Sequence, residues 1–304
     1  MAVSGKAIKQ RIKSVKNTKK ITKAMEMVSA AKMRKAIQAV TATRTYALLA
    51  KELMEKLSMV SEVKNPLTEL RPVKKVLVIL FSSNRGLAGS FNTNVFKKTQ
   101  SLLARSEEVF GSIENITYEV IGVGKRSSYF AKRFNYALIQ AYDAIRDNPS
   151  VDDILPIAHF AVQKFKEEEY DAVLVAYTEF KSSIMQMSRV RKLLPITKEN
   201  IELILEETKN EEDEMKDTTE YEFEPNKELI MDTILPRLFE VQLYQTLLES
   251  RASEHSARMV AMKNATEAAG EMIESLTVEF NKARQAGITK EIAEIAGGAA
   301  ALEQ

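Results

Sequence analysis

From Ile234 to Ala283 the sequence sets a residue on one helical face at alternating steps of four and three. The series runs Ile234, Leu238, Val241, Gln245, Leu248, Ala252, His255, Met259, Met262, Thr266, Ala269, Ile273, Leu276, Phe280 and Ala283. Only Gln245, His255 and Thr266 among them are polar. Such spacing over seven heptads is the seam of a coiled coil, because it keeps one stripe of a 3.6-residue helix turned toward a partner. Pro236 stands near the start, where a kink is tolerated. The helical pattern spans 226 to near Gly297, far longer than a compact domain needs, so another long helix must cover it.

That partner is found at the other end of the chain. Residues 4–59 hold no proline and no glycine after Gly5, which makes a rod of roughly 80 Å at about 1.5 Å per residue. Its apolar stripe is read as Ile8, Ile12, Val15, Ile21, Met25 and Val28, bordered by Ala, Ser and Thr that let a second helix approach closely. The simplest way to bury both stripes is for the two termini to wind around each other antiparallel.

Pro66 and Pro72 end the rod and the period changes. "KKVLVILF" (74–81) reads as a buried strand, "ITYEVIG" (116–122) as a second and "DAVLVAYTEF" (171–180) as a third. Helices are expected at 92–107, 124–134 and 150–168, and "SSIMQMSRVRKLLP" (182–195) as a further strand forming a hairpin. The alternation implies a doubly wound, mainly parallel α/β domain inserted between two long terminal helices that form an antiparallel coiled coil. The expected segments are an N-terminal coiled-coil helix (1–60), a Rossmann-like α/β domain (73–200), an acidic connection (201–225) and a C-terminal coiled-coil helix (226–304).

Chemistry is harder to find. The chain has no cysteine, which excludes disulfides, thiolate metal sites and cysteine nucleophiles. Its two histidines, His159 and His255, are too far apart for a short-range metal motif, and no apolar run is long enough to span a membrane. "GVGKRS" (122–127) follows a strand and holds Lys125, but a phosphate loop needs glycine where Glu119 stands and Ser or Thr where Arg126 stands. "NRGLAGS" (84–90) spaces its glycines G-x-x-G, which fails the dinucleotide fingerprint. Both read as strand-to-helix turns, and no catalytic, cofactor-binding or metal residue is assigned.

The net charge of +2 hides a segregation. Residues 1–35 carry eleven Lys and Arg against Glu26, while residues 199–228 carry thirteen acids against three lysines. The lysines at 6, 9, 13, 16, 20 and 23 follow helical spacing that a phosphate backbone would accept. No aromatic precedes Tyr46 to supply a stacking platform. A basic coiled-coil scaffold or nucleic-acid binder is therefore the alternative reading, and it leaves the inserted domain without a purpose.

Three segments, "RIKSVKNTKKITKAMEMVSAAKMRKA" (11–36), "SEHSARMVAMKNATEAA" (253–269) and "NKARQAGITKEIAEIAGGAAA" (281–301), closely resemble the γ subunit of F-type ATP synthases. "SNRGLAGSFN" and "YEFEP" (221–225) sit where that family has matching segments, so the resemblance covers essentially the whole chain. It implies a non-catalytic rotary shaft, a required subunit of an H+ or Na+ transporting two-sector ATP synthase. The expected partners are the α and β subunits of the catalytic hexamer, the ε subunit and the membrane ring of c subunits, with no cofactor and no nucleic acid. The expected location is the cytoplasmic face of a bacterial membrane, held peripherally.

Matched motif by motif, the resemblance places Met25 near an acidic lever of the β subunits. Arg258, Gln285, Thr289 and Glu291 fall at shaft positions touching β-subunit loops, and Tyr221, Phe223 and Glu224 at the foot near the rotor ring. The sequence departs from the family at Asn84, usually Asp, at Gly287, usually Ala or Ser, and at Ala296, usually larger. Gly287 is expected to loosen the C-terminal helix by roughly 1 kcal/mol.

Overall fold

The computed structural model describes residues 5–60, 65–105, 110, 116–197 and 227–302, with side chains through 43 in the first segment and through 298 in the last. The expected acidic connection lies outside these residues. Two compact units result: Met1–Ser29 with Arg258–Gln304, and Ala30–Ala257.

The first unit is made of the N-terminal part of α1 (Gly5–Val60) and the C-terminal part of α5 (Lys227–Leu302). The two run antiparallel. Thr266 Oγ1 donates to Thr22 Oγ1 at 2.8 Å, and Thr22 Oγ1 donates to the Lys19 carbonyl at 3.1 Å. Further along, the Phe280 ring stands 3.9 Å from where a Cβ on Gly5 would lie. On α5 the buried positions Met262, Ala269 and Leu276 recur every seven residues, as the heptads require.

The expected stripe on α1 needs correction. Ile8 is buried, but Ile21 is 60% and Val28 54% exposed, while their neighbours Thr22 and Ser29 are buried. The four–three spacing begun by Ile8, Ile12 and Val15 continues through Lys19, Thr22, Glu26 and Ser29, not through the larger aliphatics. The Thr22–Thr266 bond then satisfies hydroxyls that would otherwise be costly to enclose.

The second unit holds a five-stranded sheet in the order β3-β2-β1-β4-β5. The strands are β1 (Lys75–Phe81), β2 (Thr117–Val123), β3 (Ala137–Tyr142), β4 (Ala172–Phe180) and β5 (Gln186–Leu194). All neighbours pair parallel except β4 and β5, which form an antiparallel hairpin. β3 is a strand the sequence reading missed. It lies at the sheet edge, partly exposed, and carries no long apolar run to announce it.

Val, Ile and Leu fill β1 without alternation because both faces of the sheet are covered. Leu77, Ile79 and Phe81 point into a core shared with α4 (Leu155–Lys166) and α5. Val76, Val78 and Leu80 pack against α2 (Phe91–Leu103) and α3 (Ser127–Phe134). The stretch expected as one helix over 150–168 is a short 3₁₀ turn, Val151–Asp153, followed by α4. Ser150 and Asp153 close the turn with a reciprocal capping box.

Between 231 and 247, α5 serves this core more than any seam. Leu235, Phe239, Leu243 and Leu247 are fully buried against the α/β core, while the seam positions Ile234, Val241 and Gln245 are only half-buried. Residues 250–256 are buried on every side of the helix. His255 is among them, as expected for a seam position.

Candidate partner-binding surface

The two glycine loops can be judged from where their backbone donors go. In "GVGKRS" the Lys125 amide donates to Asn84 Oδ1 at 3.0 Å, the Arg126 amide to the Ser83 carbonyl at 3.2 Å, and the Ser127 amide to the Gly124 carbonyl at 3.1 Å. The amides that would cradle a phosphate are already used. Gly124 has φ +93°, and a Cβ there would stand 2.2 Å from the Ser82 carbonyl oxygen. At Gly122 a Cβ would meet Ser127 Oγ at 2.1 Å. These glycines allow β2 and α3 to pack closely against the end of β1.

The second loop is equally self-contained. Asn92, in the first turn of α2, accepts the Ser83 amide at 3.0 Å and donates to Ser83 Oγ at 2.7 Å. Among the described residues no cluster of three or more His, Asp or Glu could hold a metal, and no helix is long and apolar enough to cross a membrane.

What the first unit does offer is surface. An open groove of about 1480 Å³ runs along its two helices, rimmed by Lys6, Lys9, Lys13, Lys16, Lys20 and Lys23 over a floor that includes Ile12, Ala24, Met27 and Ile273. On the sides turned away from the seam stand Ile21, Met27 and Val28 of α1 and Met272 and Val278 of α5, and beyond the end of the seam stand Ile288, Ile292 and Ile295 of α5, all exposed. A helix pair that is apolar both inside and outside has a use for its outside, since large exposed apolar surface marks interaction sites.

The residues assigned by resemblance fall on this unit where they are described. Met25 is half-buried beside the seam, and its neighbour Glu26 pairs with Lys23 at 3.0 Å. Arg258 is 7% exposed, so little of it faces outward. Gln285, Thr289 and Glu291 are exposed, and Thr289 Oγ1 donates back to the Gln285 carbonyl at 3.0 Å. Gln285 and Thr289 are one turn apart and share a face. Tyr221, Phe223 and Glu224 lie outside the described residues.

The outward apolar set escaped the sequence reading. Its signal was present: Ile288, Ile292 and Ile295 keep a four–three spacing, offset from the seam that ends at Ala283.

In the second unit the α/β fold is fastened to both long helices. Lys32 of α1 bonds Asp147 at 2.5 Å. That hydrogen bond, with weaker fields from His255 and Arg85, holds the Asp147 carboxyl below its usual range against the opposing effect of partial burial. On α5, Ser253 Oγ donates to the Thr178 carbonyl at 3.0 Å and Ser256 Oγ to the Ser183 carbonyl at 2.7 Å. On the same stretch of α5, Arg251 and Glu254 form a buried ion pair at 2.7 Å.

Comparison with known proteins agrees over the full length. A family profile described as ATP synthase matches residues 4–302. The ATP synthase gamma chain of Pelotomaculum thermopropionicum is 42% identical over 298 residues, covering 97% of this chain and 98% of that one. That of Roseiflexus castenholzii is 41% identical over 304 residues, covering 99% of each. Among solved structures, a chain of the Euglena gracilis mitochondrial ATP synthase, OSCP/F1/c-ring in rotational state 3, aligns with a TM-score of 0.62. Its identity is 20%, and the match covers 98% of this chain and 94% of that one. A chain of the Tetrahymena thermophila mitochondrial ATP synthase central stalk/c-ring aligns at a TM-score of 0.57 with 24% identity, covering 81% and 99%. At these identities the structural matches speak for the fold alone.

Proposed function

This chain belongs to the ATP synthase gamma-chain family, and we infer that it turns as the central shaft of the rotary complex while other subunits perform catalysis. The observation that carries the mechanical reading is the helix pair whose inner seam takes Thr22 and Ser29 while Ile21 and Val28 stay outside and lysines line its open groove. A shaft must present different surfaces around its circumference. A neighbour's conformational equilibrium shifts only as far as the two states differ in contact free energy. Driving one site from mostly one state to mostly the other takes on the order of 5 kcal/mol, which several charge-assisted contacts and an apolar sleeve can supply together.

In this reading the first unit stands within a hexamer of α and β subunits. The lysine-rimmed groove and Met25 face an acidic lever of β, and Gln285, Thr289 and Glu291 touch β-subunit loops, to which the nearly buried Arg258 offers little surface. Tyr221, Phe223 and Glu224 meet the rotor ring at the foot, beside the ε subunit. The complex is then held peripherally on a bacterial membrane.

Co-expression with cognate α and β subunits, followed by gel filtration and an ATPase assay, tests this. The expected outcome is one complex with three α, three β and a single copy of this chain, hydrolysing ATP cooperatively. A fully active hexamer that forms without this chain would overturn it.

A further inference from the structure

The outer side of the layer formed by α2 and α3 carries charge of one sign. Both helices pack on the same face of the sheet, with Val95, Phe96 and Phe130 in one core with Val76, Val78 and Leu80. Their exposed residues therefore point away from that face together. Between Glu69 and Glu107, and again between Glu119 and Asp143, the sequence holds no acid. Lys97 and Lys98 of α2, Lys125 and Arg126 of the turn before α3, and Lys132 and Arg133 of α3 are all exposed. None of the six forms an ion pair among the described residues. Like charges gathered on one layer repel one another, so the fold itself gains nothing from them.

Two apolar side chains stand among these cations. The first turns of α2 and α3 meet around a cleft of about 220 Å³ lined by Leu87, Asn92, Thr93, Phe96, Arg126 and Tyr129. Leu87 is 61% and Tyr129 53% exposed. Leu87 also holds φ +62°, a backbone that glycine or asparagine adopts at less cost. The fold keeps a strained leucine and leaves its side chain in solvent, and strain of that kind collects where function uses it.

The composition of the face selects its partner. Protein interfaces bury an apolar core and are depleted in lysine. Four of these six cations are lysines, and two apolar side chains are too few for such a core. Anionic headgroups attract clusters of about 4–8 Lys and Arg, and tyrosine settles at headgroup depth. Headgroups also exchange freely, so a turning part can slide over them without a fixed docking pose. We propose that the outer face of α2 and α3 rests on anionic phospholipid headgroups, with Leu87 and Tyr129 dipping between them. The proposal rests on the shaft reading, in which the hexamer covers the lysines of the first unit and the complex is held beside a membrane.

The test is co-sedimentation of the assembled complex of α, β and this chain with phosphatidylcholine vesicles, with and without phosphatidylglycerol. The expected result is binding only where phosphatidylglycerol is present, weakened by added salt. Lys97→Ala with Lys132→Ala should weaken it about tenfold or more. Lys166→Ala, at an exposed position of α4 across the sheet, should change it little. Leu87→Gly should also weaken binding while the melting temperature holds or rises, since glycine suits that backbone; this separates a lost contact from lost folding. Equal binding to both vesicles, or phosphatidylglycerol binding that survives the double variant, would overturn the proposal. So would a complex that binds no vesicle although the free chain loses vesicle binding in the double variant, because another subunit would then cover the face. A preference for a DNA oligonucleotide over vesicles, abolished by the same double variant, would assign the face to nucleic acid instead. If no complex assembles, the shaft reading falls, and the same variants in the free chain still read the face.

Discussion

Gly124→Ala separates a structural turn from a phosphate loop. The added methyl would stand 2.2 Å from the Ser82 carbonyl oxygen and 2.9 Å from its carbon, in a backbone at φ +93°. An L-residue in left-handed backbone costs roughly 1–2 kcal/mol, and forcing backbone apart in a packed site costs about 1–3 kcal/mol more. The sum, about 2–5 kcal/mol, corresponds to a fall in melting temperature of roughly 5–20 °C, taking about 2–4 °C per kcal/mol for a domain of 150–250 residues. Differential scanning calorimetry on the full chain reads this directly. Lys125→Ala belongs in the same experiment, with binding of a fluorescent ATP analogue as the second readout. Lys125 is exposed, and its amide, which it keeps as alanine, is what bonds Asn84. The expected pattern is a large loss of stability for Gly124→Ala, none for Lys125→Ala, and no nucleotide binding by any form. A Gly124→Ala chain that melts like the parent, or saturable analogue binding lost in Lys125→Ala, would refute the assignment.

Ile8→Ala should cost about 2–5 kcal/mol and Ile21→Ala no more than about 0.5 kcal/mol in urea unfolding of the full chain. Equal losses would restore the stripe that Ile21 was expected to join. Asp147 has a lowered folded pKa, so its contribution is fully present above the unfolded value of about 3.9 and disappears as pH falls through the folded one. Asp147→Asn should remove that acid-side dependence, costing about 1 kcal/mol or less at pH 7 because the pair with Lys32 is partly exposed; a stability difference from the parent that does not narrow below pH 4 would count against it. Ser253→Ala with Ser256→Ala removes both hydroxyl ties between α5 and the hairpin, and should destabilise the chain by about 1–3 kcal/mol. It should also lower ATP-driven ion pumping relative to hydrolysis in the assembled complex, and an unchanged ratio would show that torque passes elsewhere.

The terminal helices were legible because their signal is periodic and long. The inserted sheet was legible because "KKVLVILF" and "DAVLVAYTEF" are buried on both faces and so read as unbroken apolar runs. β3 escaped because an edge strand needs little apolar content, and its "ALIQAY" resembles a connection. The error on α1 is more instructive. Hydrophobicity alone pointed to Ile21 and Val28, yet the helices meet through Thr22 and Ser29. At a close helix contact, side-chain volume and a satisfied hydroxyl outweigh transfer free energy, and only the partner helix, with Thr266 opposite Thr22, reveals the choice.

The same displacement explains why the working surface was harder to read than the fold. A catalytic site announces itself by residue types that a fold alone does not require, whereas a shaft works through ordinary isoleucines, methionines and lysines placed on the face the fold leaves unused. Ile21 and Val28, 60% and 54% exposed, forgo part of the roughly 1.5–3 kcal/mol that full burial of an aliphatic side chain supplies. Completing that burial calls for another chain. The exposed stripe of Ile288, Ile292 and Ile295 makes the same demand at the far end of α5. Assembly should therefore raise the stability of the first unit more than that of the second, whose sheet is already closed on both faces. Amide hydrogen exchange of the free and assembled chain would read this. The gain in protection is expected over 5–29 and 258–298, with little change in β1 and β4. Equal gains in both units would mean that the outward isoleucines are not what the assembly covers.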